Sequence, residues 1–383
     1  MSEKIFIYIL GAGASAGNRA SYNDPEYCRM TTDYPETLAH KKIEQVIPVV
    51  YDMPRRIELL NESIQGWRTG IEQLGRILKP PIHEILDVLK KELNWFRKQL
   101  GREPFVDILA ETLYYTNLAE YKRLINVLTI YLILEQMTNG VDLRYKSFIT
   151  NLFTLSKKNS QIPTFIKFFS WNYDYQFEEA LIEKRYLSKL TVASELVKNH
   201  FINLNMVPVR PNFILANLNG SVNNFTNQNG EYFNLTQFYI ENANPFLSEK
   251  SNTGEWARKS NILYFVYDLF VKLESENYAS SIQFAWDDSR KEDKSALDKI
   301  VIDRSVAVSI GYSFPPLNRE FDQKIISKIG KLYIQCLEKD YPFIEARVKA
   351  LNGNLKIEPW VDTSEFLIPH ELQEYALSIK YKT

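Results

Sequence analysis

The chain has 383 residues, 45% of them apolar, and a formal net charge of −1. That length and apolar content predict one large domain with insertions, or two domains, around a sizeable core. The balanced charge argues against a nucleic-acid surface of the usual basic type. Two distant cysteines argue against a disulfide framework and for a reducing, cytoplasmic setting. The longest apolar stretch, Leu124 to Leu134, is interrupted by Asn126 and Thr129 and reads as a core helix, so no membrane span is expected. The first residues lack a basic region followed by an apolar run and a cleavage site, so no secretory leader is expected.

Ile5 to Leu10 is an apolar run rich in β-branched and aromatic residues, the pattern of a buried parallel strand. It runs into Gly11-Ala12-Gly13-Ala14-Ser15-Ala16-Gly17. Such a turn lets backbone N–H groups approach a phosphate with no Cβ in the way. The spacing has one residue more than the G-x-G-x-x-G fingerprint, and no second strand ending in an acidic residue follows about 20 positions on. A tight strand-to-helix turn without a ligand is the other reading. A polar loop, Asn18 to Tyr34, comes next.

From Thr37 to Lys158 the sequence reads helical. Ile82, Ile85, Leu86, Leu89 and Leu93 fall at helical spacing behind Pro80-Pro81, and Phe105–Tyr115 and Tyr121–Met137 continue the pattern, with breaks at Gly101 and Gly140. The block is larger than a strand crossover requires, and we read residues 37–158 as an all-helical insertion module. Residues 1–36 and 159–383 then form an α/β domain with a Rossmann-like parallel sheet. Its second strand is Thr164–Ser170, followed by Trp171-Asn172-Tyr173-Asp174 and a helix from Tyr175 to Arg185. Its third is Phe213–Leu218, ending in Asn219-Gly220-Ser221. Val222 to Lys299 is a second insertion, helical from Trp256 to Glu276 and charged from Asp287 to Lys299. A fourth strand, Ser305–Ile310, ends in Gly311-Tyr312-Ser313-Phe314-Pro315. Helix Asn318–Gly330, strand Lys331–Cys336, helix Pro342–Leu351 and strand Leu355–Trp360 complete the sheet.

Each apolar strand stops at small polar residues. In an open α/β sheet those carboxyl ends line one crevice, where ligands bind. The ordered set Gly11-Ala12-Gly13-Ala14-Ser15, Asn172-Tyr173-Asp174, Asn219-Gly220-Ser221 and Gly311-Tyr312-Ser313 resembles the sirtuin family. Its strands end in a Gly-Ala-Gly-x-Ser loop, Asn-x-Asp, His-Gly-Ser and Gly-(Thr/Tyr)-Ser. The Gly-Tyr-Ser-Phe form looks most like the bacterial sirtuin-like NAD hydrolases of phage defence. The resemblance covers the sheet elements, roughly half the chain. It implies NAD binding at Gly11, Ala12, Gly13, Ser15, Gly220, Ser221, Gly311, Ser313 and Asn318, with Gln335 toward the adenosine ribose. It also implies a lid role for Asn18–Tyr34, for which an ordinary surface loop is the alternative.

Two departures from the family bear on function. Sirtuin deacylases carry a zinc on two C-x-x-C pairs; with only Cys28 and Cys336 that site cannot form, and no metal is expected. Asn219 stands where the family places its general-base histidine, and an amide cannot take a proton near neutral pH. Either another group is the base, or the activity is weakened, or the residue is a disabling substitution. None of the four histidines follows a sheet strand or has metal-ligand spacing; His40 is the one to test as a replacement base.

Nicotinamide is already a cationic leaving group in NAD, so its departure needs no general acid. The site must hold the sugar, stabilise developing positive charge and aim a water. Asn172 is suited to the ribose hydroxyl or the water, with a strand-end turn as its bland alternative. Asp174 suits orienting Asn172 or facing the cation, or simply capping the helix that follows. The expectation is an NAD glycohydrolase that releases nicotinamide and ADP-ribose, with Asn172, Asp174 and Asn219 as catalytic candidates. Control by a homo-oligomer or a partner protein is expected, since an unregulated enzyme would deplete its own cell. The alternatives are a catalytically silent NAD or ADP-ribose-binding subunit, a structural subunit, and, disfavoured by both departures, an NAD-dependent deacylase.

Overall fold

A computed structural model describes residues 4–15, 53–74, 80–103, 105–156, 162–186, 201–203, 215–235, 252–287, 297, 301 and 305–380. The expected loop 18–34 and His40 and His200 lie outside them. The chain divides into two compact units, residues 1–46, 141–220 and 283–383 in the first, 47–140 and 221–282 in the second.

The first unit is an α/β sheet. Its strands are β1 (Phe6–Leu10), β2 (Ile166–Ser170), β3 (Phe201–Asn203) and β4 (Leu215–Asn217). The second unit holds β5 (Asn224–Asn227), β6 (Tyr232–Asn234) and β7 (Tyr278–Ser280); the first resumes with β8 (Ser305–Ile310), β9 (Ile329–Gln335) and β10 (Lys356–Trp360). The order is β10-β9-β8-β1-β2-β4-β3, with every pair parallel. This is the Rossmann-like class expected. A parallel sheet covered on both faces needs apolar side chains on both, which is why its central strands read as continuous apolar runs. Ile7, Ile9, Phe169, Ala216, Ala307 and Leu332 share one core with Phe321, Ile325 and Val348 of helices Arg319–Ile326 and Tyr341–Leu351. Phe6, Tyr8, Leu10, Phe168, Leu215 and Val308 share the other with helices Leu143–Thr154, Gln176–Tyr186 and His370–Lys380. Pro359 sits in the edge strand β10, where a missing N–H costs least.

The second unit packs helices Met53–Glu72, Ile82–Leu100, Val106–Thr116, Leu118–Asn139 and Asn252–Glu274 with the antiparallel sheet β6-β5-β7. Ile85, Leu86, Leu89 and Leu93 are buried at the spacing that predicted their helix. Gly101 and Gly140 follow the last residues of two helices, Gly140 with φ +75°. The Asn117 side chain caps the helix after it, accepting from the Glu120 N–H at 3.2 Å.

This division differs from the expected one. Helix Leu143–Thr154 belongs to the α/β unit, because Tyr145, Phe148, Ile149 and Leu152 fill one of its cores. The second insertion does not stand alone, since residues 221–282 join the helical unit. The hairpin β5–β6 runs through Asn-rich sequence with little strand propensity. Its turn uses Gly230 at φ +75°, and Asn234 donates its amide to Asn224 across the pair at 2.6 Å. Among the described residues no single helix is long and apolar enough to cross a membrane.

Candidate functional site

The carboxyl ends of β8, β1, β2 and β4 lie side by side. The order turns at β1, whose neighbours in the sheet are β2 and the much later β8, and such a switch point opens a crevice outside the strand ends. Gly11 donates to the Ile310 carbonyl and Gly13 to the Gly311 carbonyl, both at 3.0 Å, so the β1 and β8 loops pack on each other. A Cβ on Gly11 would meet Tyr312 Cα at 2.5 Å, and one on Gly13 would meet Gly311 Cα at 2.8 Å. Close loop packing therefore demands these glycines on its own account. Gly311 also has φ +59°, and its Cβ would lie 2.3 Å from the Ala14 nitrogen. Gly311→Ala combines a left-handed penalty of about 1–2 kcal/mol with that clash. Its thermal midpoint should fall by several degrees; an unchanged melting curve would refute this account of the loops. Phe314, three residues on, holds φ +50°, a cost tolerated where the surroundings enforce it.

Ser15 is wholly buried, and its hydroxyl is committed inside the protein. It accepts from Asn172 Nδ2 at 3.0 Å, bonds the Tyr145 hydroxyl at 3.1 Å, and bonds the Asp174 carboxylate. In the free chain its side chain is thus bonded within the protein. Asp174 accepts from the Gln176 N–H at 3.1 Å, the capping geometry weighed from sequence, while also facing Ser15. Burial pushes its pKa up to about 6 against these bonds. Arg144 ties the glycine turn to helix Leu143–Thr154, donating to the Ala14 carbonyl at 2.8 Å and to Asp142 Oδ2 at 2.7 Å.

Asn219, at the end of β4, donates Nδ2 to the Trp171 carbonyl at 3.2 Å, which brings it beside Asn172. Because a carbonyl can only accept, this bond determines which end of the Asn219 amide points inward. The Oδ1 atoms of Asn172, Asn217 and Asn219 are buried, and among the described residues none has a partner. Gly220 continues the β4 end with φ +71°. Ser221 belongs to the second unit, where its carbonyl accepts from the Ser281 hydroxyl at 2.9 Å.

Asn318 donates to the Tyr312 hydroxyl at 2.9 Å, and that hydroxyl donates to buried Asp322, so Asn318 braces Tyr312. Tyr312 in turn stacks on Trp171 with ring centroids 5.8 Å apart. Ser313 is exposed, and its carbonyl accepts from Arg347 at 2.9 Å. Gln335, expected toward the adenosine ribose, uses its amide on the backbone of the final loop. It donates to the Asp362 and Glu365 carbonyls, both at 2.6 Å, and accepts from the Leu367 N–H at 3.0 Å, pinning the final loop. His370 is 78% exposed and pairs with Glu374 on its own helix, and His83 is exposed in the second unit. Among the described residues no cluster of three or more His, Cys, Asp or Glu side chains is placed to hold a metal.

Sequence reasoning missed Glu178. It lies one helical turn after Asp174, buried, with its carboxylate accepting from Asn217 Nδ2 at 3.0 Å. Burial pushes its pKa up to about 8. Near neutral pH the helix start thus holds an ionised Asp174 and a protonated Glu178, the kind of split that separates acid from base at enzyme sites. Spacing from Asp174 was the only sequence signal, and it does not distinguish this glutamate from the adjacent Glu179.

No protein-family model matches the chain, and neither the curated proteins nor the solved structures provide a match.

Proposed function

We propose that the chain binds NAD at this strand-end crevice and hydrolyses its nicotinamide–ribose bond. The observation that carries the reading is the set of buried amide oxygens on Asn172 and Asn219, whose nitrogens are bonded inside the protein. An unsatisfied buried acceptor costs about 1–3 kcal/mol, and a ligand that supplies donors relieves it. The vicinal hydroxyls of a ribose are such donors. The same oxygens, with the Asp174 carboxylate, suit the positive charge that develops on the sugar as nicotinamide leaves. Water then adds at the anomeric carbon, giving ADP-ribose, neutral nicotinamide and one proton. Control by self-assembly or by a partner protein, as in a defence effector, belongs to the same proposal.

The second reading is a silent NAD or ADP-ribose-binding subunit. It is favoured by Asn219, an amide where a histidine base would stand. One experiment separates them: calorimetric titration of the full chain with NAD, with nicotinamide followed chromatographically. The proposal expects heat of binding and release of nicotinamide. Binding without release moves the chain to the second reading, and no binding at millimolar NAD removes both.

A further inference from the structure

A diphosphate bridge carries a negative charge on each phosphate, and a site that takes NAD has to meet it. The groups gathered at the ends of β2 and β4 are mostly buried oxygens, on Asn172, Asn219, Asp174 and Glu178, and oxygens suit a sugar hydroxyl rather than a phosphate. The first donors of the glycine turn are already engaged. The N–H groups of Gly11 and Gly13 bond the Ile310 and Gly311 carbonyls, both at 3.0 Å, and that of Ala14 bonds the Gly11 carbonyl at 2.8 Å. Arg144, the cation beside this turn, is committed to Asp142 and to the Ala14 and Thr363 carbonyls. Arg347 is placed differently. It is exposed on helix Tyr341–Leu351, and its Nη1 donates to the Ser313 carbonyl at 2.9 Å. A guanidinium only donates and a carbonyl only accepts, so the sense of this bond is fixed. Ser313 lies two residues beyond Gly311, whose own carbonyl accepts from Gly13, so the bond holds the guanidinium against the loop that closes on the glycine turn. Among the described residues Arg347 has no acidic partner.

We propose that Arg347 is the residue that binds the diphosphate of the nucleotide, beside the Gly311–Ser313 loop; this rests on the NAD reading of the site. One N–H of the guanidinium holds the loop, and the others form the planar fork that matches phosphate oxygens. The bond to Ser313 restricts a long side chain before the ligand arrives, so less rotamer freedom is lost on binding. Arg319, which opens helix Arg319–Ile326, is also exposed, and among the described residues no bond ties it to the loop. It carries the same charge a few residues further along the chain, without the anchor.

The test is calorimetric titration of the full chain with NAD and, as a second probe, with ADP. Arg347→Ala should weaken NAD binding about tenfold or more, the scale of a lost charge-assisted hydrogen bond, with the thermal midpoint nearly unchanged. Arg319→Ala removes the same charge and should stay within about twofold of the parent. Raising NaCl from about 0.05 to 0.5 M should weaken NAD binding by the parent and weaken Arg347→Ala much less, since the contact that salt screens is gone. Parental NAD affinity in Arg347→Ala overturns the inference. Equal losses in the two arginine variants overturn it too, because they mark a diffuse positive field. So does a salt dependence parallel to the parent's, because that marks a purely structural hold on the loop. A parent that binds no NAD overturns the NAD reading instead, and ADP then decides the inference. ADP binding should require Arg347; ADP that does not bind, or that binds the parent and Arg347→Ala alike, refutes it.

Discussion

Asn172→Ala should lower the rate of nicotinamide release by about 10²-fold or more, the typical cost of losing one preorganised polar group at a reacting centre. The thermal midpoint should move by only a few degrees. The substitution breaks the 3.0 Å bond to Ser15, which is unfavourable, but it also deletes a buried oxygen that has no partner in the free protein. These effects oppose each other, each on the scale of about 1 kcal/mol. Turnover by the purified variant at the parental rate would show that Asn172 does not contact the reacting sugar. A large drop in the melting temperature would show instead that Asn172 is chiefly structural.

Glu178→Gln should flatten the pH dependence of stability above neutrality. In the unfolded chain this carboxyl loses its proton near the ordinary 4.5; in the folded protein burial raises the pKa to about 8. Between those values the folded state holds a proton that the unfolded state has released. Its contribution to stability is therefore complete below about 4.5 and is lost as the pH rises to about 8. Asp174 acts in the same sense at lower pH, from its ordinary 3.8 to about 6. A tenfold difference in proton affinity between the two states corresponds to about 1.4 kcal/mol, so Glu178 accounts for several kcal/mol across that window. The parent should lose on the order of 10 °C in thermal midpoint between pH 5 and pH 8.5. Glutamine keeps an acceptor for Asn217 Nδ2 and cannot ionise, so the variant should lose much less. Parallel curves for the two proteins would place the Glu178 carboxyl in a solvated setting, contrary to the structure.

What could be read before folding was whatever a short segment signals by itself. Phe6–Leu10 is apolar on both faces, and Ile166–Ser170 and Ser305–Ile310 are short runs built largely of Ile, Val, Ala and Phe, so all three announce buried strands without knowledge of their neighbours. The change to small polar residues after each run marks the strand ends, and with them Gly11, Asn172, Asn219 and Gly311. Helix Ile82–Leu100 was legible from its period, and its end from Gly101. The hairpin β5–β6 was not, because Asn-rich residues signal turns and not strands, and its pairing depends on a partner segment.

The strands of the sheet other than β3, its glycine loops and the polar strand ends were legible in the chain, because apolar patterning and glycine chemistry act over a few residues. What each polar group bonds to was set by packing in three dimensions. Ser15 and Gln335 proved to be used internally, and Glu178 and Tyr145 joined the site unannounced. Tertiary packing likewise assigned helix Leu143–Thr154 to the α/β unit. A hydrogen-bond partner or a raised pKa depends on atoms far away in the chain, as with Ser15 and Tyr145, which stand 130 positions apart. Burial, which sets the charge of Asp174 and Glu178, exists only once the sheet and its helices have closed over them.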